Sequence, residues 1–292
     1  MNVGKALITG AGGQLGIELR ATAPPGWLVT ACDSRELDVT RTEVVSEVLE
    51  REAPSVVLNA AAFTSVDAAE DEPARAEAVN VRGAANVAEA ARRIGARMIH
   101  LSTDFVFDGA QGRPYTPSDP PRPLGVYART KLAGEREVER VSRGEALVIR
   151  TAWVYSAHGR NFVRTMLGLM QERESLGVVA DQIGTPTWAR PLAEALWRAA
   201  ALPALRGIHH WTDAGVATWY DFAEAIQEEA LGAGLLTRRV AIRPLRTGEY
   251  PAKARRPSFS VLDKTATWAV LGGPARHWRA NLRLMLGGLA NA

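Results

Sequence analysis

The sequence predicts an α/β fold built on a doubly wound parallel sheet, with a smaller C-terminal domain interleaved with it. Three observations support this prediction. Short apolar runs alternate with helix-period segments in the first half, a glycine-rich turn follows the first apolar run, and the alternation becomes irregular after residue 150. Seven of the eight tryptophans lie from Trp153 onward, which indicates that a second, more aromatic domain follows the sheet.

Five apolar runs are typical of buried parallel strands; they are residues 5–9, 28–32, 56–59, 97–103 and 147–150. Segments of helical period lie between them, at residues 14–23, 41–52, 73–94 and 126–141. The third of these begins at Pro73, which suits the first turn of a helix, and stops at Gly95. Strands and helices therefore alternate as in a doubly wound sheet.

The composition limits the class of protein. The 292 residues are 47% hydrophobic and 23% charged, which is typical of a globular chain. No apolar run approaches the roughly 20 residues that cross a bilayer, and the first residues lack the pattern of a secretory signal, so we expect a cytoplasmic protein with no membrane partner. A formal net charge of +3 does not predict binding to nucleic acid.

Metal ligands are scarce in the sequence. Cys32 is the only cysteine, which excludes an internal disulfide and a zinc site built from several thiolates. The five histidines show no paired metal-ligand spacing. We therefore expect no metal site.

Residues 10–16, Gly-Ala-Gly-Gly-Gln-Leu-Gly, lie where the first predicted strand turns into the first helix. Glycine permits a tight turn and lets the backbone approach a pyrophosphate, while the helix N-terminus supplies N–H groups and the positive end of a dipole. An ordinary glycine-rich turn is the alternative. The position after the first strand favours a Rossmann-type dinucleotide-binding domain, predicted at 1–152. The rest of the chain, 153–292, is predicted to be mainly a substrate-binding domain, from which about 186–212 returns to the first domain.

Acids near the second strand bear on the choice of cofactor. Asp33 follows that strand, where an acid can bind the ribose 2′-OH of NAD. Arg35 could instead meet the 2′-phosphate of NADP, so the sequence leaves NADH and NADPH open. Asp38 and Val39 at the next loop could lie near the adenine. For both aspartates, capping of a turn or helix is the alternative.

Tyr127 and Lys131 are four residues apart on the fourth predicted helix, so their side chains share one face. A lysine beside a phenol lowers the pKa of the phenol, which suits a group that protonates a developing alkoxide; a surface pair is the alternative. Thr103 ends the fourth strand and could donate a hydrogen bond to a substrate carbonyl oxygen. Ser-Thr-Asp at 102–104 is also typical of a turn or helix cap.

These motifs resemble those of one superfamily, the extended short-chain dehydrogenases/reductases, and within it the family of the dTDP-4-dehydrorhamnose reductases. The resemblance extends over nearly the whole chain. Besides the glycine loop it rests on Asn-Ala-Ala-Ala-Phe-Thr-Ser-Val-Asp at 59–67, Ser-Thr-Asp-Phe-Val-Phe-Asp-Gly at 102–109, Tyr-x-x-x-Lys-Leu-Ala-Gly-Glu at 127–135, Arg-Thr-Ala-Trp-Val-Tyr at 150–155, Asp-Gln-Ile-Gly-Thr-Pro-Thr at 181–187 and Arg-Pro-x-x-Ser-x-Leu-Asp at 256–263.

The resemblance implies a reaction and a role for individual residues. The reaction is reduction of the C4 ketone of dTDP-4-dehydro-β-L-rhamnose by NADPH or NADH, the last step of dTDP-L-rhamnose synthesis. Tyr127 would donate the proton, Lys131 would hold the nicotinamide ribose, and Thr103 would bind the reacting oxygen. The dTDP-sugar would contact Thr103, Asp104 and Trp153, although Trp153 taken alone is typical of a core residue. The cofactor would contact Gly10, Gly13, Gln14, Leu15, Asp33, Asp38, Val39, Ala62, Phe63, Thr64, Tyr127 and Lys131.

One departure from the family concerns assembly. Some members form magnesium-linked dimers through glutamates. Glu18 matches one of these, but Arg190 stands where another is expected, and residues 287–292 contain no acid. We therefore expect a monomer or weak homodimer and no metal-bridged dimer.

Other functions remain open at this point. Sugar-nucleotide dehydratases and epimerases share the glycine loop and the Tyr–Lys pair, but a dehydratase needs a further acid/base pair after the threonine, and Phe105 follows Asp104 here. A non-catalytic NADP-binding regulatory subunit would not require Thr103, Tyr127 and Lys131 together. Another sugar-nucleotide 4-keto reductase would look almost the same.

A basic stretch precedes Pro257 near the end of the chain. Arg255 and Arg256 within it could bind the diphosphate of the substrate bidentately. Exposure to solvent or an ion pair is the alternative for each.

Overall fold

A six-stranded parallel sheet forms the centre of the structure, a computed structural model that describes residues 4–291. The strands are β1 (Gly4–Thr9), β2 (Trp27–Cys32), β3 (Val56–Asn59), β4 (Arg97–Thr103), β5 (Leu147–Thr151), β6 (Val154–Tyr155), β7 (Ser175–Val179), β8 (Ile183–Gly184), β9 (Thr187–Trp188), β10 (Gly207–His210), β11 (Ala217–Thr218) and β12 (Ala241–Leu245). The helices are α1 (Gln14–Ala21), α2 (Thr42–Glu52), α3 (Val66–Asp71), α4 (Pro73–Glu77), α5 (Ala84–Arg93), α6 (Val126–Ser142), α7 (Phe162–Glu172), α8 (Ala189–Ala200), α9 (Trp219–Gly232), α10 (Thr265–Val270) and α11 (Trp278–Ala290).

The strand order in the sheet is β2-β1-β3-β4-β5-β10, with every neighbouring pair parallel. The chain goes from β1 to β2 at one edge and then crosses to β3 on the other side of β1. In such sheets this reversal opens a crevice at the carboxyl ends of the two strands on either side of it, which here are β1 and β3. The predicted doubly wound parallel sheet is confirmed, and the five predicted strands are correct within one residue at each end.

Helices cover both faces of the sheet because alternate strand residues point in opposite directions. On β1, Ala6 and Ile8 pack in a buried cluster with α1 and α8. Leu7, between them, packs in another cluster with α2 and α5. The Trp197 indole of α8 donates to the Leu19 carbonyl of α1 at 3.0 Å. Both helix layers are therefore seated on apolar strand faces.

A second apolar cluster lies in the later part of the chain. It joins α7, α9 and α11 to β7 and β12, with Phe222, Met170 and Leu282 fully buried or nearly so. By contrast, α8 and β10, which lie within or at the end of residues 186–212, pack on the central sheet. The domain boundaries expected from the sequence remain a prediction.

The helix predicted at 73–94 is interrupted in the structure. It consists of α4, a π-helical turn at Ala78–Gly83, and α5. A Cβ on Gly83 would lie 2.7 Å from Val39 Cγ2, so the turn packs closely on the chain after β2. The sequence pattern also missed the short helix α3. Helical periodicity does not reveal a one-residue bulge, since the residues on both sides keep their helical spacing.

A buried ion pair fixes α6 to the sheet. The Arg150 guanidinium on β5 donates to both Glu135 carboxylate oxygens on α6, at 2.9 and 2.7 Å, and both side chains are almost fully buried. The guanidinium also lies over the Phe107 ring, 5.2 Å from its centre. A buried charge that loses its partner is strongly destabilising. The pair therefore holds α6 in one position across the sheet.

The change Glu135→Gln should lower the free energy of unfolding by about 3 kcal/mol, because it leaves the Arg150 charge buried without its counter-charge. Urea unfolding of the variant and the wild type measures this loss. The matched control is Glu137→Gln on the same helix, whose exposed pair with Arg140 should contribute no more than about 1 kcal/mol. Equal losses in the two variants would contradict the structural role of the buried pair.

Candidate active site

A cleft of about 510 Å³ opens at the carboxyl ends of β1, β3, β4 and β5. This is the edge where open α/β sheets bind ligands. Most of the residues predicted for cofactor or substrate line it; they are Gly10, Gly13, Gln14, Leu15, Ala62, Thr64, Thr103, Asp104, Tyr127, Lys131 and Trp153. Asp33, Asp38, Val39 and Phe63 were also predicted but do not line the cleft.

The glycine loop forms a cradle that side chains would fill. Gly10 has φ +68°, and a Cβ there would lie 2.8 Å from the Ala60 carbonyl carbon. A Cβ on Gly16 would overlap the Gly10 carbonyl oxygen. Helix α1 begins at Gln14, and its N-cap is Gly13, which has no side chain to bind the first N–H groups. The loop and helix end therefore fit the pyrophosphate of a dinucleotide, which such N–H groups can bind.

The two predicted cofactor aspartates cap turns. Asp33 Oδ1 accepts hydrogen bonds from the backbone N–H groups of Arg35 and Glu36, at 2.8 and 3.2 Å, and these bonds lower the pKa of the Asp33 carboxyl. Asp38 Oδ1 accepts from the backbone and hydroxyl of Thr40, at 3.0 and 2.8 Å. Asp33 stands beside the glycine loop, with its Cβ 3.5 Å from a Cβ built on Gly12. In this structure both aspartates therefore cap turns, which was the alternative to a contact with the cofactor.

Asn80, which the sequence analysis did not identify, connects two walls of the cleft. Its Oδ1 accepts from the Phe63 backbone N–H at 2.8 Å, and its Nδ2 donates to the Phe63 carbonyl at 3.1 Å and to Thr130 Oγ1 at 3.1 Å. A Cβ on Gly134 of α6 would overlap the Asn80 carbonyl oxygen. Asn80 thus holds the loop after β3 against α6, from a π-helical turn of the kind often found at functional sites. No local sequence signal marks it, because its partners lie 17 and 50 residues away.

Lys131 is buried beneath the cleft with only 2% of its surface exposed. Its Nζ donates to the Leu101 carbonyl oxygen of β4 at 2.6 Å. Burial disfavours the charged amine and lowers the pKa of Lys131 to about 8, while the nearby Glu135 carboxylate opposes that shift. The lysine is therefore still mostly charged at pH 7.

Tyr127 lies one helical turn before Lys131, with its ring edge-on to Phe105 at 6.1 Å. Burial raises the pKa of the Tyr127 phenol to about 12, and a hydrogen bond with Thr103 opposes that increase only in part. The net shift of this pKa is therefore upward, whereas the lysine neighbour was expected to lower it. The physical reason is that desolvation of the phenolate outweighs the interactions that favour it.

Asp104 is a buried acid directly beside Thr103. The Thr103 hydroxyl donates to Asp104 Oδ1 at 3.2 Å, while Asp104 Oδ2 has no hydrogen-bond partner within residues 4–291. Burial raises the pKa of Asp104 to about 7, against hydrogen bonds from Ser260 and Thr103 that favour the anion. Asp104 therefore places a buried oxygen with unused hydrogen-bonding capacity next to the cleft.

Trp153 adopts a left-handed backbone conformation with φ +47°, which is strained for a residue with a large side chain. Its indole stacks on that of Trp219, with ring centres 3.6 Å apart and planes 6° apart. A Cβ on Gly184 would lie 2.5 Å from Trp153 Cε2, so a glycine is required there. Trp153 and Trp219 both line the cleft; the sequence analysis missed Trp219, whose aromatic character was the only signal.

Two arginines border the cleft. Arg256 lines it and donates to Asp67 Oδ2 at 2.8 Å, whereas Arg255 is exposed and does not line it. Arg160, from the turn before α7, also lines the cleft and was missed by the sequence analysis. The cleft wall therefore carries positive charge suited to an anionic ligand.

Glu18 and Arg190, the residues that bear on metal-linked dimers, lie close together. Buried Glu18 accepts from Ser156 Oγ at 3.1 Å, and the Arg190 guanidinium lies 4.0 Å from its carboxylate. Among residues 4–291, no three His, Cys, Asp or Glu side chains are grouped so that they could hold a metal ion. In the same part of the chain, no helix has the length and apolar character to cross a membrane.

Comparisons with known proteins agree on one family. The family model for the RmlD substrate binding domain matches residues 4–290. A dTDP-4-dehydrorhamnose reductase of Burkholderia thailandensis is 41% identical over 288 residues, which covers 94% of this chain and 95% of that protein.

Solved structures agree as well. The crystal structure of a dTDP-4-dehydrorhamnose reductase from Clostridium acetobutylicum superimposes with a TM-score of 0.91 at 36% identity, over 98% of this chain and 99% of the other. A Bacillus anthracis dTDP-4-dehydrorhamnose reductase, solved in complex with NADP, has a TM-score of 0.91 at 33% identity, over 97% and 98% of the two chains. The chain belongs to the family defined by the RmlD substrate binding domain.

Proposed function

We propose that this chain reduces the C4 ketone of dTDP-4-dehydro-β-L-rhamnose with NADPH or NADH and yields dTDP-β-L-rhamnose, the last step of dTDP-L-rhamnose biosynthesis. The observation that carries the proposal is that one cleft brings together the glycine loop, Thr103, Tyr127 and Lys131. The relatives named as reductases of this substrate, and the one solved with NADP, support it.

The proposed cofactor site follows the cleft. Gly10, Gly13, Gln14 and Leu15 would hold the pyrophosphate side, Ala62 and Thr64 would border the middle, and Lys131 and Tyr127 would meet the nicotinamide ribose. Asp33, Asp38, Val39 and the Phe63 backbone would contact the cofactor from the rim. When bound, the reduced nicotinamide supplies a hydride to C4.

Side chains of the cleft would donate the proton to the substrate oxygen and stabilise the negative charge that develops during the reaction. Because the pKa of Tyr127 is about 12, its phenol keeps its proton at neutral pH until the substrate oxygen becomes basic enough to take it. The buried Lys131 ammonium favours the phenolate that this transfer leaves behind. Thr103, which lines the same cleft, would turn its hydroxyl toward the same oxygen.

The sugar nucleotide would lie between Thr103, Asp104 and the Trp153 indole, with Arg256 toward its diphosphate. The ring of Phe105 packs against Tyr127 at the position where a dehydratase would have a second acid, which favours simple reduction. Glu18 is paired within its own chain, so we also propose a monomer or weak homodimer without a bridging metal.

The change Tyr127→Phe should lower kcat by at least about 100-fold, because general acid catalysis typically contributes 10²–10⁴, while Kd for NADP⁺ stays within about twofold. Nicotinamide absorbance, followed with dTDP-4-dehydro-β-L-rhamnose generated in place, measures turnover with NADPH and with NADH. The control Tyr250→Phe alters an exposed tyrosine. If the Tyr127 variant kept wild-type kcat, another group would be the proton donor.

The change Asp104→Asn should flatten the dependence of stability on pH. The pKa of the folded-state carboxyl is about 7 against its ordinary value of 3.8, so between these values the folded protein binds more protons than the unfolded one. Its free energy of unfolding therefore falls as pH rises from about 4 to about 7.

Between pH 5 and pH 8, the wild type should lose roughly 2 kcal/mol more stability than the Asp104→Asn variant. Urea unfolding at a series of pH values measures both curves. Because the buried Asp213 carboxyl, with a pKa also raised to about 7, is present in both proteins, its contribution cancels. Parallel curves would show that Asp104 titrates as an ordinary surface acid.

The change Arg256→Ala should raise KM for the sugar nucleotide about tenfold, since a charge-assisted hydrogen bond to phosphate contributes roughly 1.5–3 kcal/mol, and should leave KM for NADPH nearly unchanged. The matched control is Lys253→Ala, which removes a cation from the same segment outside the cleft, where it pairs with exposed Asp71. An equal rise in both KM values for Arg256→Ala would count against a contact with the substrate diphosphate.

A further inference from the structure

The turn at residues 156–161 connects β6 to α7 and is tied to α1. Asn161 Nδ2 donates to Gln14 Oε1 at 2.9 Å, across 147 residues of sequence. Ser156 Oγ donates to the buried Glu18 carboxylate at 3.1 Å. Both partners lie on α1, which begins in the glycine loop. The turn is therefore fixed beside the phosphate cradle by two hydrogen bonds and does not depend on a ligand for its position.

The backbone of this turn also touches the cradle. Gly159 has φ +67°, and a Cβ there would lie 3.3 Å from Gln14 Cγ. A side chain at this position would thus meet both backbone strain and the neighbouring glutamine. The glycine lets the turn approach α1 closely, and Arg160 follows it directly at the border of the cleft.

Arg160 differs from the other cations that line the cleft. Lys131 donates to a backbone carbonyl and Arg256 pairs with Asp67. Among the ion pairs formed within residues 4–291, none includes Arg160, and its side chain is exposed. A guanidinium presents donors that match phosphate oxygens in a fixed planar arrangement. Arg160 is therefore the cation of the cleft that is available to an anion without first breaking a bond.

We propose that Arg160 binds the pyrophosphate of the nicotinamide cofactor and clamps it against the glycine loop; this rests on the proposed function. The N–H groups at the start of α1 face the anion from the Rossmann side, and the arginine faces it from the turn before α7. Asn161 caps α7 and also binds Gln14. The Asn161–Gln14 pair therefore links the glycine loop to the second apolar cluster, to which α7 belongs. The diphosphate of the sugar nucleotide could bind an arginine in the same way, so the test distinguishes the cofactor pyrophosphate from the substrate diphosphate.

The test compares wild type, Arg160→Gln and Arg160→Lys, with Arg173→Gln as the matched control that removes an exposed charge beyond the other end of α7, away from the cleft. Calorimetric titration gives Kd for NADP⁺, for NAD⁺ and for ADP-ribose, which has the pyrophosphate but no nicotinamide. Steady-state kinetics give KM for the sugar nucleotide. Thermal melting checks that each variant folds.

We expect Arg160→Gln to raise Kd about tenfold for NADP⁺, NAD⁺ and ADP-ribose alike. The Kd values of Arg160→Lys should lie between those of Arg160→Gln and the wild type, and those of Arg173→Gln should equal the wild-type values. The salt dependence of NADP⁺ binding should also become shallower in Arg160→Gln, since one phosphate contact is lost. KM for the sugar nucleotide should stay within about twofold of wild type.

Unchanged Kd values in an active, folded Arg160→Gln variant would overturn this inference and leave the proposed function intact. A rise confined to the KM of the sugar nucleotide would also overturn it and assign Arg160 to the substrate diphosphate. Failure of the wild type to bind either nicotinamide cofactor would overturn the proposed function and this inference together.

Discussion

The packing of α6 across the carboxyl ends of β4 and β5 is the constraint on which the site depends. Lys131 donates to the Leu101 carbonyl of β4, and Glu135 pairs with Arg150 of β5. Burying a charge is costly unless it has a partner, so the helix is stable only where both buried groups meet theirs. Tyr127, one turn before Lys131, is placed over the cleft by the same two contacts. The catalytic arrangement that we propose therefore follows from the partners that buried Lys131 and Glu135 find on β4 and β5.

Burial, more than charge pairing, sets the protonation of this site. It raises the pKa of Tyr127 and of Asp104 and lowers that of Lys131, so each group is shifted toward its neutral form. A phenol that holds its proton firmly is a poor acid toward water but a suitable one toward an alkoxide formed in its immediate contact. A desolvated site thus limits proton loss until the oxygen that needs the proton is present.

The chain between β5 and α7 connects the central sheet to the second apolar cluster. Trp153 leaves β5 in a strained left-handed conformation and stacks on Trp219, and Asn161 then binds Gln14 of the glycine loop. Strain of this kind persists only where the surrounding packing compensates for it, and here the Trp219 indole and the glycine at 184 do so. One short segment therefore contributes an aromatic wall and an exposed arginine, Arg160, to a cleft whose floor belongs to the sheet.

The sequence by itself determined five strands of the central sheet, the helices between them apart from α3, the glycine loop and the spacing of Tyr127 and Lys131. Each of these depends on a pattern within a few residues: alternation, helical period, or a turn that only glycine permits. Tertiary structure decided the rest. Asn80, Trp219 and Arg160 join the cleft through partners or neighbours far away in sequence, which no local pattern records. The upward shift of the Tyr127 pKa, opposite to the expectation from its lysine neighbour, likewise required the burial of the phenol, a property of the packed interior and not of the spacing.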